Sequence, residues 1–195
     1  MVTDVATRHD RRDQVMRAAV AVIATEGASQ ARLNDIATRA GMSLGHVMYY
    51  FGTRDNLLME ALVWSERQAL AQISNTLAKK QRSPTRQLVL FVELYLPQDR
   101  KDPRWSLWFQ LSAVWPKPTA GIDALLAANR SWQALFIELL QNSEFGEDAA
   151  DLAEWFLPYL DGLALDFVTT PPNTTIVAVQ RAITRLERAI NQESP

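Results

Sequence analysis

A serine between two glycines, Gly41-Met42-Ser43-Leu44-Gly45, matches the G-x-S-x-G pattern in which an α/β-hydrolase presents its nucleophile. The chemistry would be acyl transfer, with the hydroxyl attacking a carbonyl and a histidine taking its proton. That arrangement needs a strand leading into the serine and a helix leaving it. Here the preceding residues carry the period of a helix instead: Leu33, Ile36, Ala37 and Ala40 fall at i, i+3, i+4 and i+7. The histidines also fail the test. Only His9 and His46 exist, and His46 lies three residues past the serine on the same short segment. With no cysteine, no paired histidines, no G-x-G-x-x-G and no P-loop pattern, thiolate, metal and nucleotide chemistry have no carriers. Carboxylates are plentiful, but nothing separates a catalytic pair from solvated helix faces. The sequence therefore predicts no catalytic residue, no metal and no cofactor.

The same stretch makes sense as two helices and a turn. Gly41 ends the first helix because a residue without Cβ takes the left-handed conformation a helix C-terminus needs, and Ser43 caps the next through its hydroxyl. A spacing this tight suits the DNA-binding helix-turn-helix, whose second helix lies in the major groove while the first braces it. Gly52 then breaks the second helix, and Thr53 caps a third with Asp55 in its first turn.

The remaining chain reads as all-α, about nine helices in total. Met1 to His9 form an arm. Val15, Ala18, Ala19, Val22 and Ile23 make a helix that stops at Gly27, with Arg8, Arg11 and Arg12 at its start either solvated or touching phosphate. A long helix runs from Leu57 to about Gln81, and another from Ser83-Pro84 to Leu96-Pro97. A polar linker, Gln98 to Asp102, precedes an aromatic helix opened by Pro103. Thr119 to Asn142 and Asp148 to Thr170 follow, the second carrying Pro158, which should kink it. After Thr170-Pro171-Pro172-Asn173, the residues Ile176, Val179, Ile183, Leu186 and Ile190 step by three and four, a narrow seam suited to partner helices. The expected division is a helix-turn-helix domain at 1–56 and a ligand-binding and dimerisation domain at 57–195.

Composition bounds the class. A chain of 195 residues with 48% hydrophobic content buries a substantial core, and a net charge of −2 excludes a nonspecific polycation while leaving room for a local basic face. No apolar run approaches the ~20 residues that span a bilayer, and the N-terminus lacks the apolar segment of a secretory signal. Without cysteines the expected compartment is the cytoplasm.

The residues Asp35-Ile36-Ala37, Ala40-Gly41-Met42-Ser43, Gly45, Tyr49-Tyr50-Phe51, Thr53-Arg54 and Leu57 resemble the signature of TetR-type transcriptional regulators in order and spacing. Trp105, Trp108, Phe109 and the Asp161-Gly162-Leu163 step resemble more loosely the branch typified by repressors of the choline-to-betaine pathway. The resemblance implies a homodimer on double-stranded DNA, with a small effector in the larger domain releasing it. Three positions depart from the family pattern. Arg32 stands where a capping threonine is usual, which costs the helix start about 1 kcal/mol. Met48 replaces a tyrosine, and His46 a small polar residue.

On this reading the segment Ser43, Leu44, Gly45, His46, Met48, Tyr49, Tyr50 enters the groove. His46, unless it is simply an exposed polar residue, and Met48 read bases, while Arg32, Tyr49, Thr53 and Arg54 hold phosphates and Tyr50 either joins them or packs in the core. Phe51 belongs to the core. Trp105, Trp108, Phe109, Trp132, Phe136, Trp155 and Tyr159 either line an effector pocket, one suited to a cation, or simply pack as core. Leu163 and Phe167 join Ile176, Val179, Ile183 and Leu186 in the dimer surface. The competing expectation is a helical interaction module without DNA binding.

Overall fold

The computed structural model describes residues 2–79, 82–112, 121–143 and 145–169 together with positions 184 and 188, and gives the backbone alone for 2–9. Eight helices lie among these residues: α1 Val2–Glu26, α2 Leu33–Arg39, α3 Leu44–Phe51, α4 Arg54–Lys79, α5 Pro84–Tyr95, α6 Pro103–Ser112, α7 Ile122–Gln141 and α8 Ala149–Thr169. No strand occurs among them. The expected arm at Met1 to His9 is helical from Val2 onward, because no glycine or proline interrupts the run into α1. α8 continues through Pro158 to Thr169. The seam residues Ile176, Val179, Ile183 and Leu186 lie outside the described residues.

Two compact units divide the chain. One holds the residues up to Gln68 together with Lys101–Ala128; the other holds Ala69–Arg100 with the described residues from Asn129 onward. Compactness thus divides the chain elsewhere than at 56/57. The reason is α6, whose Leu107 and Leu111 share a core with Val15, Ala19 and Ile23 of α1, Ile36 of α2 and Val47 of α3.

In the first unit, three consecutive polar residues of α1 tie down α3, α4 and the end of α2. The Arg12 guanidinium donates to Tyr50 O at 3.3 Å, pairs with the Glu60 carboxylate and lies 4.8 Å from the Phe51 ring centre. Asp13 accepts from Trp64 Nε1 at 3.1 Å, and Gln14 Nε2 donates to Ala40 O at 2.8 Å. Arg12 is therefore tied to α3 and α4, with 37% of its side chain exposed.

α6 starts where Asp102 Oδ1 accepts from Arg104 N at 3.0 Å and from Trp105 N at 3.4 Å, a cap followed by proline in the first turn. Its Arg104 reaches α4. Nε and Nη2 both donate to the Glu66 carboxylate at 3.1 Å, and the guanidinium sits 4.7 Å from the Trp105 ring centre. Glu66 is 1% exposed. A buried carboxylate is tolerable only with such a forked partner, and removing either member leaves the other charge buried.

In the second unit, aromatic rings stack through the core. Phe91 lies 5.0 Å from Phe136, Phe136 lies 5.6 Å from Phe156, and Tyr95 meets Trp132 edge to face at 5.2 Å. The Tyr95 hydroxyl donates to Asp161 Oδ1 at 2.6 Å, joining α5 to α8.

Glu66→Ala is expected to destabilise the fold by about 3–5 kcal/mol through the Arg104 charge it strands. Chemical denaturation followed by circular dichroism measures this. A loss under about 1 kcal/mol would mean that water solvates the pair, placing it in the range of surface bridges.

Candidate nucleic-acid interface

α2, the turn and α3 are held by backbone geometry that the sequence specifies residue by residue. Met42 N–H returns to Ala37 O at 2.9 Å and Gly41 N–H to Thr38 O at 3.0 Å, a Schellman ending with Gly41 at φ +63°. Only glycine takes that conformation without strain. Ser43 then caps α3, its Oγ accepting from His46 N at 3.3 Å. Arg32, at the cap position of α2, makes no side-chain cap bond. At the far end of α3, Gly52 N–H bonds Met48 O at 2.8 Å, and Thr53 Oγ1 caps α4 by accepting from Asn56 N at 3.1 Å.

This frame sorts the eight residues of α3 by face. Val47 is 0% and Phe51 4% exposed, both in the core. Leu44, Met48 and Tyr49 are 42%, 43% and 76% exposed, three large side chains left open within one short helix. Gly45 and His46 are exposed beside them, and Tyr50 is half-buried with its ring 5.4 Å from that of Tyr49. Ser43, Thr53 and Arg32 are also exposed. Ser43, Leu44, Gly45, His46, Met48 and Tyr49 are thus each exposed around the part of α3 that Val47 and Phe51 leave uncovered. Arg39, exposed in the last turn of α2, is a cation that the sequence reading passed over.

Arg54 reaches the loop between α1 and α2. Its Nε donates to Ala31 O at 2.7 Å, one Nη donates to Ala28 O, and the other lies 3.5 Å from Asp55. The guanidinium thus braces the α1–α2 loop, with 36% of the side chain exposed. Sequence alone could not show this, because bracing a loop and holding phosphate need the same forked donor.

Ser43 Oγ also lies 3.2 Å from His46 Nδ1, the spacing of a nucleophile and its base. The contact is a product of the cap. Serine and histidine occupy the cap and third position of one helix, and α2 rather than a strand precedes them. No group of three or more His, Asp or Glu suited to a metal occurs among the described residues.

The seven aromatic residues expected around an effector fall into two clusters. Trp105, Trp108 and Phe109 contact one another on α6, and Trp105, 2% exposed, stacks on Phe109 at 5.4 Å. Trp132 and Phe136 are buried in the second unit. Trp155 and Tyr159 flank Phe156 there, with Trp155 54% exposed. Phe91 and Tyr95, one helical turn apart on α5, complete this second cluster and were legible as an i, i+4 pair.

Two family models match the chain: residues 15–61 match bacterial regulatory proteins of the tetR family, and residues 84–193 match the C-terminal part of BetI-type transcriptional repressors. The chain belongs to the TetR family. It is a transcriptional regulator with a BetI-type C-terminal domain, not an enzyme. Among curated relatives, the regulator PksA of Bacillus subtilis is 26% identical over 176 residues, 89% of this chain and 86% of its own. BetI of Stenotrophomonas maltophilia is 38% identical over 69 residues, 35% of this chain and 33% of that protein. A regulator from Saccharomonospora viridis, crystallised in complex with choline, superposes with a TM-score of 0.75 at 23% identity, covering 95% of this chain and 97% of that one. No helix among the described residues is long and apolar enough to cross a membrane.

The two arginines are expected to behave oppositely on DNA. Arg32→Ala should reduce the slope of log affinity against log salt by about one, as loss of one phosphate contact does. Arg54→Ala should weaken binding with the slope unchanged. A slope lowered by Arg54→Ala but not by Arg32→Ala would reverse the assignment.

Proposed function

We propose that the protein is an effector-responsive repressor that binds a near-palindromic operator as a homodimer, with residues 1–56 reading DNA and 57–195 binding effector and partner subunit. The observation that carries the reading is the outward face of α3, where Leu44, His46, Met48 and Tyr49 are exposed on a helix anchored by Val47 and Phe51. A helix presented in this way fits the major groove, where each base pair shows its own pattern of donors, acceptors and methyl groups. Ser43 Oγ accepts the His46 backbone N–H and lies 3.2 Å from Nδ1; in the tautomer in which Nδ1 accepts the Ser43 hydroxyl, Nε2–H is the ring's donor. That donor suits purine N7 or guanine O6, and the Met48 side chain suits a thymine methyl. Gly45 lets the backbone approach closely. Arg32, Arg39, Tyr49 and Tyr50 serve phosphates, and the α4 N-terminus at Thr53 adds N–H groups and a favourable dipole.

One eight-residue helix reads few base pairs. Two copies on a two-fold axis therefore share the operator, half-sites about 34 Å apart. Leu163 and Phe167, half-exposed on α8, join the seam of Ile176, Val179, Ile183 and Leu186 as the dimer surface. The effector is a small cation. The rings of Trp132 and Tyr95 meet edge to face with the Asp161 carboxylate on the Tyr95 hydroxyl, and aromatic rings beside a carboxylate are the chemistry that attracts quaternary ammonium. The relative crystallised with choline supports that chemical class.

Choline is expected to quench or shift tryptophan emission and to weaken binding to the intergenic DNA flanking the gene by about 5–150-fold, the usual span of allosteric coupling. In the same anisotropy assay, His46→Ala should lose about 1–3 kcal/mol of discrimination at one base pair per half-site. Choline that changes neither signal removes the cationic effector. An unchanged sequence preference removes His46 as a reader.

A further inference from the structure

Residues Gly27 to Arg32 carry the chain from α1 into α2, and Ala28 and Ala31 among them are 6% and 0% exposed. Buried peptide groups require partners. α1 ends with Gly27 N–H on Ile23 O at 2.9 Å, Gly27 being at φ +88°, and this form of ending leaves the next N–H, that of Ala28, with no helical acceptor. It donates instead to Oε1 of Gln110 on α6. On the other side, the Ala28 and Ala31 carbonyls take the Arg54 guanidinium of α4.

The Gln110 amide is itself fixed. Its Nε2 donates to Ser106 Oγ at 2.7 Å one turn earlier on α6, which sets the oxygen toward the loop. A Cβ added at Gly27 would meet that oxygen at 3.3 Å, so glycine there serves both the left-handed backbone and the close approach of α6. Leu107 and Leu111 of the same helix lie in the core shared with α1.

We infer that Ala28 is the joint through which α6 positions the helix-turn-helix, with Gln110 a positioning residue for DNA binding although it lies far along the chain from the reading helix. α6 holds the Ala28 N–H and α4 holds its carbonyl, so one residue is gripped from both sides. Four residues later Arg32 begins α2, and the entry of that helix follows from where the loop is held. The inference rests on the DNA-binding reading above.

Two variants of the full-length protein test it. Gln110→Leu removes the acceptor, whereas Gln110→Glu keeps an oxygen for the Ala28 N–H and accepts the Ser106 hydroxyl. Anisotropy titration of the flanking intergenic DNA is read beside amide hydrogen exchange over residues 28–36 and over the α1 core at 15–23. Q110L is expected to bind DNA about tenfold more weakly, in line with an orphaned buried donor. It should also exchange faster at 28–36 with 15–23 still protected, and Q110E should restore both. Wild-type affinity and exchange in Q110L would overturn the joint, as would failure of Q110E to rescue or a uniform loss of protection across both segments. Wild-type protein that ignores the DNA would instead sink the DNA-binding reading and with it the role of Gln110, while the exchange data would still decide whether the contact holds the loop.

Discussion

An eight-residue helix cannot hold its own orientation, since isolated helices that short scarcely form in water. The orientation of α3 must come from outside it, and most of the specific chemistry in the first unit supplies it. Val47 and Phe51 anchor the inner face. Arg12 holds the Tyr50 carbonyl near the C-terminus of α3, and Gln14 holds the Ala40 carbonyl just before the turn. Ser43 closes the N-terminus. A short helix fixed at both ends and on one face leaves the other face free, and that face can carry side chains whose cost in exposed apolar area makes sense only against a partner.

The same logic runs back to the loop before α2. Its buried carbonyls and its one buried N–H without a helical acceptor are satisfied by Arg54 and Gln110, side chains from two other helices. α4 and α6 are in turn fastened to each other by the buried Glu66–Arg104 fork. The first unit is thus a chain of polar contacts laid over a common apolar core, each satisfying a group that burial would otherwise leave unpaired.

Much of this was legible in the residues. Period, glycines and capping hydroxyls located α2, the turn, α3 and the start of α4, because those signals act within a few positions of one another. The outward placement of Leu44, Met48 and Tyr49 follows from the same period once Val47 and Phe51 point inward. What the sequence concealed depends on distant partners. Arg32 and Arg54 look alike as cations near a helix-turn-helix, yet one caps nothing and is exposed while the other is bound by loop carbonyls. Arg12 could have been solvated or on phosphate until Tyr50, Phe51 and Glu60 surround it. Glu66 and Gln110 read as ordinary polar positions on amphipathic helices, and only the packing of α6 into the first unit gives them their work. Leu107 and Leu111 likewise carry no mark of which core they join.

The reading face of α3 is the centre of the account, and methylation interference on the intergenic DNA flanking the gene examines it at the level of single bases. The account expects guanines whose methylation at N7, in the major groove, blocks binding, grouped in two half-sites about 34 Å apart. Interference confined to minor-groove adenine N3, or no pair of half-sites at that spacing, would contradict it.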